Sequence, residues 1–274
     1  MRRTHAALAL PALAASYAAV EAARIRRMPK LPERSRDLDA LVGSGHAGAA
    51  VQLVVVGDSV ASGVGCTRVE TTFPWQLAHG VADDLARPVR VRSLSRKGSC
   101  VADARAEQLP RLAELSPVDV VVTSMGANDA THLTPPARFD EDLLGFVEDL
   151  RALTAAPLVL TGVPEFRSLR ALGAPLRTTA WLAGQRVHAQ QRALAAERAD
   201  VAFADVLGAV GTAFRADPEG MLAEDGVHPG DRGAAVLADA VRPTVTAVLS
   251  GDPAAAERAH SERAQDEPPP GVRA

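Results

Sequence analysis

Five short runs of β-branched and other apolar residues mark the middle of the chain: Val51–Val56, Val89–Ser93, Val118–Thr123, Leu158–Thr161 and Val201–Val206. Within them, Leu53-Val54-Val55-Val56 and Val120-Val121-Val122 are apolar without alternation, as in strands covered on both faces. Between the runs the period changes from that of a strand to that of a helix. Phe139, Leu143, Phe146, Val147 and Leu150 form one helical stripe between Phe139 and Leu153, with Asp140, Glu141, Asp142 and Glu148 turned the other way. Trp181–Ala199 and Ala234–Leu249 read as two further helices, the second with an expected kink near Pro243. This alternation predicts an α/β fold: a parallel sheet with helices on both sides and functional loops beyond the carboxyl ends of its strands.

The pattern stops at both ends, which divides the chain into residues 1–30, 31–49, 50–250 and 251–274. In the first part, Arg2 and Arg3 precede an apolar, alanine-rich run from Ala6 to Val20, and Arg24, Arg26, Arg27 and Lys30 follow it. The run is shorter than the ~20 residues a spanning helix needs, and a basic cluster is unusual after a signal peptide. An amphipathic helix across residues 6–30, lying on a membrane or on the domain, is favoured over an inserted anchor, and cleaved secretion comes third. A cytoplasmic or peripherally membrane-associated location is accordingly favoured over a secreted one. Residues 31–49 read as a polar linker. Residues 251–274 carry Pro268-Pro269-Pro270 and hardly any bulky apolar side chain, so they read as a disordered tail.

Composition narrows the classes of function. Apolar residues are 47% and charged residues 23% of the 274, which suits a globular domain with one substantial core. Aromatics at 3% and a formal charge of −3 leave neither stacking platforms nor a positive field for nucleic acid. Cys66 and Cys100 lack the spacing of a disulfide scaffold or a zinc cluster. The sequence is silent on oligomeric state.

Chemistry-bearing residues fall after the predicted strands. The first run ends in Gly57-Asp58-Ser59, followed by Gly63 and Gly65. A serine there is placed for exposure as a nucleophile, or simply to cap the next helix. The loop lacks the GxGxxG of a dinucleotide fold and the Gly-Lys-Ser/Thr of a phosphate loop. It also misses the GxSxG elbow, because position 61 is Ala. After the second run, Gly98 lets the backbone approach a ligand closely, although a loop glycine has a plain structural reading too. After the third, Ser124-Met125-Gly126-Ala127-Asn128-Asp129 reads either as a turn or as a presentation of the Asn128 amide to an oxyanion. Far downstream, Asp225-Gly226-Val227-His228-Pro229 places a histidine on a loop, where Asp225 can hold Nδ1–H and leave Nε2 free to take a proton. A metal site there would have only Glu224 and Asp231 as further ligands.

In this order the motifs resemble the SGNH (GDSL-like) hydrolase superfamily, with the likeness running from about Val51 to Leu249. The resemblance implies a flavodoxin-like three-layer α/β/α sandwich with a five-stranded parallel sheet. It implies Ser59 as nucleophile, Asp225 and His228 as the other triad members, and the N–H groups of Ser59 and Gly98 with the Asn128 amide as oxyanion donors. Asp58 is expected to order its turn and Asp129 to support the Asn128 loop. The implied reaction is hydrolysis of small or medium acyl esters through an acyl-enzyme, needing no metal or organic cofactor. Thioesterase, carbohydrate O-deacetylase or acyltransferase activity remains open within the same machinery, as does a catalytically silent binding domain. Two structural expectations follow from loop placement. Cys66 and Cys100 lie after neighbouring strands, so a disulfide at the rim is conceivable, although two separate buried thiols are favoured. Residues 164–179 are long enough, and of suitable composition, to form a lid or a substrate wall.

Overall fold

The computed structural model of the chain describes residues 27–251 apart from Pro164. The expectations for segment 1–30 and tail 251–274 therefore lie, but for their inner ends, outside the described residues. The described part is built on one sheet of six strands: β1 (Asp39–Val42), β2 (Val51–Gly57), β3 (Val89–Ser93), β4 (Val120–Ser124), β5 (Leu158–Thr161) and β6 (Val201–Ala204), in spatial order β1-β3-β2-β4-β5-β6. Strands β2 to β6 pair in parallel, as the apolar runs predict. The sixth strand corrects the expected count of five. β1 comes from the segment read as a linker and pairs antiparallel with β3. It escapes a periodicity reading because it is short and mostly exposed. Val42 is its one fully buried residue, and Arg90 grips Asp39 through two hydrogen bonds of 2.7 and 2.9 Å.

The central strands are apolar throughout because both faces are covered: every residue of β4 and β5 is buried, and all of β2 except Gln52. On one side lie α1 (Phe73–Leu85) and the last helix, α6 (Asp231–Ser250), packed together. On the other lie the helical stretch 101–115, α3 (Pro136–Leu153) and α4 (Ala174–Ala196). The short α2 (Ala127–Thr131) follows β4, and α5 (Gly208–Ala216) precedes the loop that leads to α6. Each long helix turns one stripe inward. In α3 this includes Phe139, Leu143, Phe146, Val147 and Leu150, the positions the sequence pattern picks out. Pro243 sits inside α6, which continues unbroken to Ser250.

The winding order fixes where a site can form. The chain passes from β2 outward to β3, then crosses back to β4 on the other side of β2. At such a reversal the loops leaving neighbouring strands diverge and open a crevice at their carboxyl ends. Ser59, Gly98 and Asn128 all follow the carboxyl ends of the strands that flank this point.

Candidate active site

Ser59 is half-buried, two residues beyond β2 in a tightly wound turn. Gly57 ends level with Ser124 of β4, and a Cβ on it would overlap the Ser124 carbonyl oxygen, so only glycine fits. Asp58 N–H donates to that same carbonyl at 2.9 Å. The Asp58 carboxylate accepts the Val60 N–H at 3.1 Å, closing the turn in the role expected of it. Ser62 N–H then bonds Asp58 O, and Val64 N–H bonds Ser59 O, both at 2.9 Å. The Asp58 side chain is fully enclosed, and burial pushes its pKa up to about 7 against the opposing pull of the Val60 hydrogen bond and of His228.

Gly98 is exposed in the loop after β3, with φ of +82° and open space where a Cβ would project. Among the described residues, neither the Ser59 N–H nor the Gly98 N–H has a protein acceptor. Asn128 lies in the first turn of α2, behind Gly126, whose φ is +106°. One hydrogen of its side-chain amide goes to Ser99 O at 3.0 Å, and the second has no protein acceptor among the described residues. Asp129 accepts the Val101 N–H at 3.1 Å and the Thr134 hydroxyl at 3.3 Å. It thereby joins the loop after β3 to the loop after β4. Burial raises the pKa of Asp129 despite these bonds.

The histidine arrives on the loop before α6. His228 Nδ1 lies 2.6 Å from Asp225 Oδ2, and Asp225 Oδ1 accepts the backbone N–H groups of Val227 at 2.9 Å and His228 at 3.0 Å. Burial works to raise the Asp225 pKa, but the hydrogen bonds from the His228 ring and the two amides outweigh it and hold the carboxyl below the usual range. The Asp225 side chain is 2% exposed and that of His228 is 25% exposed, so the carboxylate is sealed while the imidazole keeps some access to solvent. A donating Nδ1–H leaves Nε2 as an acceptor.

Two features that hold the serine and histidine loops together were not read from the sequence. Gly65, with φ of +98°, passes so close to the histidine loop that a Cβ there would overlap Pro229 O and lie 3.1 Å from His228 Cβ. Asp231, weighed above only as a metal ligand, has its carboxylate filled by the serine side. Its oxygens accept the Thr67 N–H at 2.8 Å, the Thr67 hydroxyl at 2.6 Å and the Thr71 hydroxyl at 2.6 Å. Among the described residues no group of three His, Cys, Asp or Glu side chains is placed to hold a metal ion.

Residues 165–173 form a packed wall rather than a free flap. Phe166, Leu169 and Ala171 are buried, and Arg215 Nη1 holds the enclosed Glu165 carboxylate at 2.8 Å. The N–H groups of Arg170 and Ala171 both donate to Gly226 O, at 3.0 and 3.3 Å, steadying the Asp225–His228 loop from behind. The two cysteines are free thiols, so the conceivable rim disulfide is absent. Cys66 Sγ donates to Thr71 O and Cys100 Sγ lies 3.4 Å from His132 Nδ1. Burial foremost, with neighbouring carboxylates, pushes both thiols up to about 12, which makes them poor nucleophiles near neutral pH. A second histidine–carboxylate pair, His188 Nε2 with Asp205 Oδ1 at 3.4 Å, sits beyond β5 and β6. His188 is 5% exposed, packed edge-on against Phe203 and under Gly162, so it is closed off from the crevice.

Comparison with known proteins shows what the chain is similar to. The family described as GDSL-like lipase/acylhydrolase matches residues 55–236. A GDSL-like esterase of Mycobacterium tuberculosis is 30% identical over 191 residues, which is 69% of this chain and 60% of that protein. This chain therefore spans about 60% of the length of that relative. Among solved structures, TesA superposes with a TM-score of 0.55 at 25% identity, covering 72% of this chain and 99% of its own. A carbohydrate acetylesterase family member from Sinorhizobium meliloti shares the fold with a TM-score of 0.55 at 17% identity, covering 73% of this chain and 99% of its own.

Proposed function

The chain belongs to the GDSL-like lipase/acylhydrolase family, within the SGNH hydrolases, and we propose that it is a serine esterase working through Ser59, His228 and Asp225. The observation that carries this reading is the 2.6 Å pairing of the sealed Asp225 carboxylate with His228 Nδ1. It fixes the tautomer in which Nε2 can take a proton. Supporting it are two backbone N–H groups without protein acceptors among the described residues, at Ser59 and Gly98, and an Asn128 amide with one hydrogen unused.

The steps follow from these parts. Ser59 Oγ attacks the carbonyl carbon of a small acyl ester while His228 Nε2 accepts the hydroxyl proton. The carbonyl π pair moves onto oxygen, and the resulting oxyanion takes hydrogen bonds from the Ser59 and Gly98 N–H groups and from Asn128 Nδ2. The imidazolium, stabilised by Asp225, returns the proton to the leaving alkoxide oxygen as the C–O bond breaks. Water attacks the acyl-enzyme with His228 again as base, releasing the acid and restoring the Ser59 hydroxyl.

Hydrolysis of p-nitrophenyl acetate and butyrate by the wild type and by Ser59→Ala, with folding followed by circular dichroism, tests the reading. Turnover by the wild type and its loss in a folded variant are expected; turnover that survives in the variant overturns it. Acyl thioesters and acetylated sugars in the same assay separate a thioesterase or deacetylase from a simple esterase.

A further inference from the structure

We propose that Gln108 is a positioning residue for this reaction, fixing the oxyanion donors by standing in for the strand partner that Gly57 lacks on its β3 side. The inference rests on the serine-esterase reading. Strand β3 accompanies β2 only as far as Ser93 opposite Val55. It then bends away, leaving Leu94 N–H on Val55 O and Arg96 N–H on Gly57 O. Gly57, two residues before Ser59, is thus left with no strand opposite it on that side. The Gln108 side chain takes the place of a peptide group there. Its Oε1 accepts the Gly57 N–H at 2.9 Å, and its Nε2 donates to Gly57 O at 2.9 Å and to Ser99 Oγ at 3.2 Å.

The consequence is a connection among all three donors. Ser99 follows Gly98 directly, and its carbonyl holds Asn128 Nδ2 at 3.0 Å. One amide therefore ties the backbone that presents Ser59 to the loop that presents Gly98 and orients Asn128. Gln108 and Ser99 are 1% and 6% exposed, so water has little access to replace these bonds. Gln108 also closes a π-helical turn, Ala104–Gln108. The extra residue of such a turn re-aims a side chain, a device that recurs at functional sites. A leucine would fill this position without needing any partner, whereas a buried amide is tolerated only when its hydrogen bonds are made.

The test compares kcat and KM for p-nitrophenyl butyrate in the wild type and in Gln108→Met, which keeps length and loses every hydrogen bond. The variant melts lower, because the buried Gly57 N–H loses its acceptor; assayed below its transition, with circular dichroism showing it folded, its kcat falls about 10- to 100-fold with KM little changed, because misplaced donors are missed mainly in the transition state. In an Asn128→Ala background the same substitution has a clearly smaller effect, since one of the donors it positions is gone. An unchanged kcat, a loss confined to KM, or an equal loss in both backgrounds overturns the proposal. If Gln108→Met does not fold, Ser99→Ala removes only the Oγ acceptor and carries the same test, with an expected loss of about 3- to 10-fold. Hydrolysis that survives Ser59→Ala overturns the esterase reading and this inference with it. Hydrolysis lost in Ser59→Ala but unchanged in Gln108→Met overturns this inference alone.

Discussion

Asp231 accepts the Thr71 hydroxyl at 2.6 Å across 160 residues of chain, pinning the loop that follows Ser59 to the first turn of the helix that follows His228. With the two bonds from Thr67 it makes one joint between the two halves of the site. Asp231→Ala is expected to cost about 1–3 kcal/mol of stability, in line with hydrogen bonds to a charged group at a partly exposed site. It should also lower kcat about tenfold through a displaced His228. Arg232→Ala, whose side chain pairs with Asp217 on the surface, should leave kcat unchanged. Thermal melts and p-nitrophenyl butyrate kinetics on the two variants check this; equal kinetics in both would remove Asp231 from the account.

Asp58 and Asp225 pull stability in opposite directions as pH changes. Asp58 has its pKa raised from 3.8 to about 7 in the fold, so the native state holds an extra proton in that window. Its charged form is a penalty that is absent in acid, grows as pH rises through the window and is complete above it. Asp225 is held below the usual range. Its contribution is therefore complete at neutral pH and is lost as pH falls through the carboxylate range. Asp58→Asn keeps an acceptor for the Val60 N–H and removes the charge. Its stability relative to wild type, followed by denaturant unfolding, should rise between about pH 5 and about pH 8, by an amount of the order of a few kcal/mol at most. A difference that is the same at both pH values would show that Asp58 does not titrate there.

Asn128 bears on the oxyanion alone in the proposed chemistry. Asn128→Ala should lower kcat by about 10²–10³ with KM little affected, the usual consequence of removing one donor. Asn128→Asp, similar in shape but anionic, should lower it further. Steady-state kinetics on folded variants decide it, and a loss confined to KM would assign Asn128 to substrate binding instead.

Cys66 and Cys100 are free and poorly ionised. Two thiols per chain should titrate in the unfolded protein without reductant. In the native protein both should react slowly with a disulfide reagent near neutral pH, because the thiolate is the attacking species. Fewer than two thiols after unfolding would contradict the free pair.

What the sequence revealed and what it hid follow one physical line. Residues 53–56 and 120–122 declare β2 and β4 because burial on both faces removes every polar interruption, and Gly57-Asp58-Ser59 is marked by its place at the end of such a run. Asp225 and His228 are legible because they stand three positions apart and the flanking glycine and proline exclude a helix face. Strand β1 is hidden because an exposed edge imposes little pattern, and the docking of Asp39 on Arg90 is a tertiary event. Gln108 and Asp231 are hidden for a related reason. Polar residues in or beside helical stretches look like solvent-facing positions until distant backbone, at Gly57 and at Thr67, arrives to use them. For residues 165–173 length and composition suggest a lid or wall but not the anchoring of Phe166 and Leu169 in the core.

The central claim is that Ser59 is a nucleophile activated by His228. The most direct measurement is reaction with a fluorophosphonate, followed by peptide mass spectrometry of the wild type and of His228→Ala. The account predicts one phosphonyl adduct, on the peptide containing Ser59, formed with loss of ester hydrolysis and strongly slowed in His228→Ala. Inactivation with the adduct on another residue, or hydrolysis that persists with Ser59 fully modified, would contradict it.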